Sequence, residues 1–237
     1  MAEFTTEQIT EASLAVADER GAAGFTMRAV AEALGVTPMA LYHYVEDKAA
    51  LVALVVEASI AEHPLPPPTG SWHEDLFAMA RWTRETMLAH PAVARLRSAH
   101  NVWTPSIFPM TERWLSIWQQ SGLELNLALL AASASSTAII GFVQAELQYA
   151  DTTLPDDSAL ASFPSARVAF NLERDGTREF ELVVRSILDG LHARLAPGGA
   201  PASVAVERAA GQRSARPPAQ RLPGAKRAAS RGTRRRA

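Results

Sequence analysis

The chain has 237 residues, 48% of them hydrophobic, which is enough to bury the core of one large or two modest domains. It contains no cysteine, and this excludes a disulfide framework and metal sites built on thiolates. The formal net charge of −2 hides an asymmetry. Residues 1–196 hold 13 basic and 24 acidic side chains, a net charge of −11. Residues 197–237 hold ten basic side chains and one acidic side chain, a net charge of +9.

The first residues predict a helix and a cytoplasmic location. The N-terminal sequence MAEFTTEQ lacks the basic and apolar segments of a secretory signal, so we expect the protein to stay in the cytoplasm. Thr5 and Gln8 have the spacing of a capping box, in which two side chains satisfy free backbone amides at a helix start. We therefore expect a helix that begins at Thr5 or Thr6 and ends near Arg20.

The stretch 24–48 predicts two short helices joined by a tight turn. Thr26 is a good N-cap for the first helix, and Gly35 marks its end, since helices commonly stop at a left-handed residue. An apolar face with helical spacing lies between them, at Met27, Val30, Ala31 and Leu34.

The second short helix repeats this start. Thr37 is its N-cap, and Pro38 occupies the first helical position, where the missing amide costs nothing. Leu41 and Val45 are four residues apart and are expected to face the core. Short and aromatic side chains remain for the outer surface, which suits entry into the major groove of DNA. An ordinary helical hairpin would show the same pattern, so spacing alone leaves both interpretations open.

The run from Gly21 to Val55, GAAGFTMRAVAEALGVTPMALYHYVEDKAALVALV, resembles the N-terminal domain of TetR/AcrR-type transcriptional regulators, most specifically in LGVTPMALYHYVEDKAAL. The resemblance implies an all-α fold. It would have an N-terminal helix-turn-helix three-helix DNA-binding domain and a C-terminal helical domain for ligand binding and dimerisation. Residues 1–63 are then the DNA-binding domain with its connecting helix, 64–71 a Pro-rich connector, 72–196 the regulatory domain, and 197–237 a disordered basic tail.

Double-stranded DNA is therefore the expected partner. Thr26 and Arg28 are expected to anchor the first short helix to the DNA backbone, and Lys48 to contact a phosphate. The second helix would supply Thr37, Pro38, Met39, Ala40, Tyr42, His43 and Tyr44. Residues 1–63 nevertheless carry three basic and ten acidic side chains, a net charge of −7 that is unusual for a DNA-binding domain. This charge supports an alternative, a ligand-binding or protein-interaction module that no longer reads DNA.

Residues 72–196 show helical patterns throughout. The helix predicted at 123–149 contains an uncharged stretch from Leu125 to Ala145, but six polar residues interrupt it, so we expect a buried helix and no membrane span. The resemblance implies that this helix and the last one, 177–195, form a four-helix bundle in a homodimer. A two-fold dimer is also expected because one short recognition helix reads only a few base pairs.

Aromatic residues cluster in the regulatory domain and predict a pocket for a small apolar or aromatic effector. The expected contacts are Phe77, Trp82, Trp103, Phe108, Trp114, Phe142, Gln144 and Gln148. Plain core packing is the alternative for each of these side chains. The histidines lack metal-ligand spacing, no phosphate loop or nucleophile motif is present, and we expect no metal, no cofactor and no enzyme activity.

Together these patterns predict a ligand-responsive transcriptional repressor that a small effector releases from a palindromic operator. The tail from Pro197 onward is rich in Pro, Gly, Ala and Arg and cannot bury enough apolar surface to order itself. It is either a solvated tail without a role or an arm that binds phosphates and offsets the acidic body; we favour the arm.

Overall fold

The computed structural model describes residues 4–150, 158, 160–172 and 175–198. Within these residues the chain forms ten α-helices and no strand. Their bounds are α1 Thr6–Gly24, α2 Met27–Ala33, α3 Pro38–Leu41, α4 Lys48–Ala61, α5 Trp72–Ala89, α6 Pro91–His100, α7 Ile107–Gln120, α8 Leu125–Ala150, α9 Pro164–Asn171 and α10 Gly176–Leu195. The all-α prediction is confirmed, while the predicted disordered tail lies outside the described residues apart from Pro197 and Gly198.

Helix α1 begins with the predicted capping box. The Thr5 side chain accepts a hydrogen bond from the Gln8 amide at 3.3 Å, and the Gln8 side chain accepts one from the Thr5 amide at 3.0 Å. The helical conformation breaks at Gly21, where φ is +67°, and resumes for the last residues up to Gly24. A glycine suits this position because side chains with a Cβ are strained at positive φ.

Helices α1–α4, here called the head, share one apolar core. Phe25, Val30 and Leu51 are fully buried within it. The same core includes Ala92, Val93 and Leu96 of α6. A helix that the sequence assigns to the regulatory domain therefore packs on the head, against α1 and α4. The division into domains at residues 64–71 stays a prediction.

The second core lies among α5, α7, α8 and α10. Trp114 and Trp118 of α7 donate from their Nε1 atoms to one hydroxyl, Ser135 Oγ of α8, at 3.0 and 3.1 Å. Ser135 in turn donates to the Ala131 carbonyl at 2.7 Å, so this buried hydroxyl is satisfied. Arg84 of α5 and Glu146 of α8 form a two-pronged ion pair, with Nε 2.8 Å from Oε2. These contacts fix α8 against its neighbours on one side.

The opposite side of α8 is open. Among the described helices, α8 is the one with the length and composition of a membrane span, with a mean hydropathy of 1.6 over its most apolar 18 residues. Only 28% of that segment is buried inside the chain. The exposed surface includes Leu130, which is 47% exposed. The expectation that this helix would be buried holds for the side that packs on α5, α7 and α10.

Candidate nucleic-acid interface and ligand cavity

The predicted caps form on both short helices of the head. Thr26 Oγ1 accepts from the Ala29 amide at 3.1 Å, and Thr37 Oγ1 accepts from the Ala40 amide at 3.2 Å. Gly35 adopts a φ of +68° in the turn between them. Helix α3 has only four residues, but a further turn follows, in which the Val45 amide bonds the Leu41 carbonyl at 3.1 Å. Leu41 and Val45 are both buried, as their spacing predicted.

The remaining side chains of this turn are presented to solvent. Met39 is 72% exposed, Tyr42 49% and Tyr44 42%. Of the residues expected to contact DNA, eight are exposed and two are half-buried. The exposed ones are Thr26, Arg28, Thr37, Pro38, Met39, Tyr42, His43 and Tyr44, and the half-buried ones are Ala40 and Lys48.

Two of these residues also make contacts inside the head. The Tyr44 hydroxyl accepts from the Phe4 amide at 3.3 Å, and the two rings meet edge to face with centroids 6.2 Å apart. Lys48 Nζ lies 5.9 Å from the centroid of the Phe25 ring, within the range of a cation–π contact. The side chains are thereby held in place at the two ends of the turn.

Few positive charges of the head are available for phosphate. Arg20 is already paired with Glu32, with Nη1 3.0 Å from Oε2. Arg28 is exposed and has no ion pair within the described part of the chain. Arg28 and Lys48 are therefore the basic side chains of the head without an ion pair in the described part of the chain, and their contact with DNA phosphates stays a prediction.

A cavity of about 320 Å³, here called the main cavity, opens among α5, α7 and α8. Met79, Ile107 and Ile139 are buried in its wall, each 1–2% exposed. Its full lining is Met79, Thr83, Arg97, Trp103, Ile107, Met110, Thr111, Trp114, Leu115, Leu129, Ala132, Ser133, Ser136, Ile139 and Ile140. A mostly apolar wall with a few polar groups is typical of small-molecule sites.

Two of the eight predicted ligand contacts, Trp103 and Trp114, line the main cavity. Trp114 is held by its bond to Ser135, whereas Trp103 is 67% exposed. Gln144 lines a neighbouring space of about 220 Å³, here called the side cavity, which shares Arg97, Trp103 and Ile140 with the main cavity.

The other five predicted contacts lie elsewhere. Gln148 lines a third space of about 280 Å³, and Phe77 lines a fourth, of about 310 Å³, beside Phe180. Phe142 packs edge to face on Phe180 with centroids 5.5 Å apart. Trp82 Nε1 donates a hydrogen bond to the His63 carbonyl, just after the end of α4, at 2.8 Å. Phe108 is 63% exposed and outside the main cavity.

Arg97 lines the main cavity but is absent from the contacts that the sequence predicts. The signal in the sequence is weak, because a basic residue in the last turn of a helix usually serves the helix dipole. Only the packing of α6 shows that this side chain is half-buried and borders both cavities.

The wall of the main cavity is bonded to helix α4. Trp103 and Ile107 line the cavity, and Ser106 between them donates from its backbone amide to Glu57 Oε2 of α4 at 3.3 Å. The Ser106 hydroxyl also donates to Oε1 of the same carboxylate. Burial alone would raise the pKa of Glu57, but the hydrogen bonds from the Ser106 hydroxyl and amide outweigh it and lower the pKa below its ordinary value. Glu57 is therefore a stable anion at neutral pH.

His90 forms a second link between the head and the following helices. Its ring lies at the junction of α5 and α6, between Asp18 of α1 and Glu62 after α4. Burial opposes its protonation, but hydrogen bonds and charge from Glu62 and Asp18 raise the pKa of His90 above its ordinary value. No group of three or more metal-ligating side chains occurs in the described ranges.

The sequence matches two family descriptions in order along the chain. Residues 9–55 match the family described as bacterial regulatory proteins, tetR family, and residues 63–195 match the tetracyclin repressor-like C-terminal domain. The chain therefore belongs to the TetR family of ligand-responsive, DNA-binding transcriptional repressors. Regulators of this family are soluble DNA-binding proteins and are generally not enzymes.

Individual relatives agree with this assignment. The tetracycline repressor protein class E of Escherichia coli is 29% identical over 203 residues, which cover 82% of this chain and 94% of the relative. The transcriptional repressor DrrR1 of Streptomyces coeruleorubidus is 32% identical over 122 residues, which cover 51% of this chain and 45% of the relative. The crystal structure of apo ActR from Streptomyces coelicolor superposes with a TM-score of 0.66 at 26% identity, covering 81% of this chain and 97% of that one. ActR has also been solved with actinorhodin, and that structure superposes with a TM-score of 0.64.

Proposed function

We propose that this repressor acts in the cytoplasm as a homodimer on a palindromic operator, and that a small aromatic effector in the main cavity releases it. The observation that carries the proposal is the bond between the cavity wall and α4, through Ser106 and Glu57. Helix α4 starts at Lys48, a few residues after the exposed turn at residues 38–45, here called the reading turn, which would read DNA. A ligand that moves the segment 103–107 would therefore move the helix that carries the reading turn.

The coupling follows from linkage. An effector that binds the cavity more tightly in one setting of α4 shifts the protein toward that setting, and DNA binding must weaken effector binding by the same factor. An effector with equal affinity for DNA-bound and free protein would release nothing. The proposal therefore requires that the operator and the effector compete energetically, without sharing any contact residue.

Homodimerisation is supported by the open side of α8. Leu130 is 47% exposed, and Thr137 and Gly141 continue the same surface along the helix. Leu182 of α10 is 67% exposed. Small side chains let two helices approach closely, and exposed leucines supply the apolar area that a stable interface needs. We propose that these surfaces pair with a second copy of the chain, and that α8 does not enter a membrane.

Contacts with DNA would come from the surface of the reading turn. Met39, Tyr42 and His43 are exposed there and would approach base edges and phosphates. Arg28 and Lys48 would bind phosphates on either side, and the Thr26 and Thr37 caps would bring the α2 and α3 amides close to them. The dimer would place a second turn on the next major groove.

The test is selection of bound duplexes from a randomised DNA library, followed by competition against unrelated DNA near physiological salt. Enrichment of a palindromic site supports the proposal. Tyr42→Ala should then lower affinity for that site about tenfold. Phe108→Ala removes another exposed aromatic ring, from α7, and should leave the affinity unchanged. If no site is enriched at either physiological or low salt, the chain is a module that no longer reads DNA, as its net charge of −7 over residues 1–63 would then explain.

A further inference from the structure

Four half-buried arginines lie in helices α5–α10 of the described chain, and one of them is without a partner. The other three are engaged: Arg84 by Glu146, Arg185 by Glu74 and Glu181, and Arg113 by the Pro66 carbonyl. No hydrogen bond or ion pair involves the fourth, Arg97, within the residues that the structure describes. This contrast singles out Arg97, because the same region satisfies every comparable cation.

The unpaired guanidinium borders the main cavity. Of the described residues lining that cavity, Arg97 is the only charged one. Burial lowers the pKa of Arg97 below its ordinary value, yet a guanidinium keeps its charge at neutral pH. A cation that is partly removed from water and lacks an anion is less favourable than a fully hydrated one, and a ligand with a negative charge would offset that cost.

The other walls suit a flat aromatic body. Trp103 and Trp114 offer ring surfaces, and Met79 and Met110 offer adaptable thioethers. The hydroxyls of Thr83 and Thr111 donate to carbonyls of their own helices, at 2.9 and 2.8 Å. Their oxygens are therefore acceptors for a ligand, whereas Arg97 is the strong donor of the cavity.

We propose that the effector is a planar aromatic acid whose negatively charged group pairs with Arg97 while its rings lie between Trp103 and Trp114. The proposal rests on the proposed function in one respect, namely that the main cavity is the effector site. A guanidinium presents two parallel N–H groups to a carboxylate, so recognition of this kind is both strong and directional. The side cavity, which shares Arg97 and Trp103, offers room for a substituent beyond the acid.

The alternative is that Arg97 only interacts with the carbonyl end of α6. In that case the side chain would influence stability but not the choice between charged and neutral ligands. A matched pair of probes separates the two roles, because an acid and its amide have nearly the same shape and differ in charge.

The experiment is isothermal titration calorimetry of the full chain with anthracene-2-carboxylate and with anthracene-2-carboxamide. The wild-type protein should bind the carboxylate at least about tenfold more tightly than the amide. Arg97→Gln should abolish this preference, and Arg97→Lys, which keeps the charge but loses the fork, should retain part of it. Arg178→Gln, at an exposed arginine on α10, is the matched control and should keep the full preference.

Three results would overturn the proposal: equal affinity for both probes, no binding of either probe, or a preference that survives in Arg97→Gln. Circular dichroism melting curves show whether Arg97→Gln is folded, and Arg97→Lys carries the test if it is not. The duplex selection is run in parallel on wild type. Enriched DNA without an Arg97-dependent preference defeats this inference alone, whereas the preference without any enriched DNA defeats the proposed function alone.

Discussion

Nδ1 of His90 lies 3.0 Å from Oδ2 of Asp18, so the residue before α6 is joined to the first helix of the head. The other ring nitrogen, Nε2, lies 3.0 Å from Oε2 of Glu62 at the end of α4. An imidazole can donate from both nitrogens only when it is protonated, so the arrangement fits the charged ring. The contact joins three segments around the start of α6.

The pH dependence of stability follows from this contact. Because the pKa of His90 is raised on folding, its contribution is fully present below the unfolded value of about 6.5 and is lost as pH rises through the folded value. We therefore expect the melting temperature to fall as pH rises through that window. His90→Gln should remove this part of the pH dependence, measured by melting curves. His100→Gln, at an exposed position of α6, should not. A pH profile unchanged in His90→Gln would contradict the assignment.

Glu57→Gln should weaken the coupling between effector and DNA. The substitution removes the negative charge of the carboxylate that accepts two hydrogen bonds from Ser106. The cavity wall would then move with less effect on α4. We expect DNA affinity without effector to change little and the amount of anthracene-2-carboxylate needed for release to rise about tenfold. Release is read by fluorescence anisotropy of labelled operator. Glu112→Gln, exposed on α7, is the control, and equal behaviour of the two variants would count against the link.

Arg28→Ala should alter the salt dependence of DNA binding. If Arg28 contacts a phosphate, removing it weakens binding to all sequences alike and lowers the slope of log affinity against log salt by about one. Anisotropy titrations across a salt series measure this slope. Arg20→Ala serves as the comparison. Because Arg20 is already paired with Glu32, this substitution should leave the slope nearly unchanged.

Leu130→Glu together with Leu182→Glu should convert a dimer into monomers. Two charges placed on the proposed α8–α10 surface cannot be buried without partners, and the cost exceeds the gain from the remaining apolar contacts. Sedimentation velocity gives the oligomeric state. Phe108→Glu introduces the same charge at a side chain that is 63% exposed on α7 and should leave the state unchanged. A monomeric wild type would refute the proposed interface directly.

Removal of residues 197–237 tests the basic arm, which lies outside the described residues apart from Pro197 and Gly198. If its net charge of +9 helps to bind phosphates, deletion should reduce non-specific DNA affinity and the salt slope while leaving the preferred site the same. Unchanged affinity and slope would mean that the tail is solvated and has no part in DNA binding.

Local chemistry made the helix starts of this protein predictable. Thr5, Thr26 and Thr37 were expected to cap their helices, and each accepts the amide three residues ahead. A cap depends only on neighbours within one turn, so a single sequence contains all the information that it needs. The burial of Leu41 and Val45 followed from spacing in the same way.

The ligand contacts were less predictable because composition does not specify which side of a helix faces a space. Trp103 and Trp114 line the main cavity, whereas Phe142 packs on Phe180 and Trp82 donates to the His63 carbonyl just after the end of α4. All four are aromatic residues on similar amphipathic patterns. Their different surroundings depend on how α5, α7, α8 and α10 are rotated against one another, which no local pattern records.

The sequence by itself determined the helices, the reading turn and the family, since these depend on contacts within a few residues and on a local motif. Only the tertiary structure decided that α6 packs on the head, that Ser106 holds Glu57, and that Arg97 borders a cavity without a partner. Each of these contacts brings together elements that are far apart in the chain. These contacts form only when whole helices pack together through their apolar faces, so they depend on the complete tertiary structure.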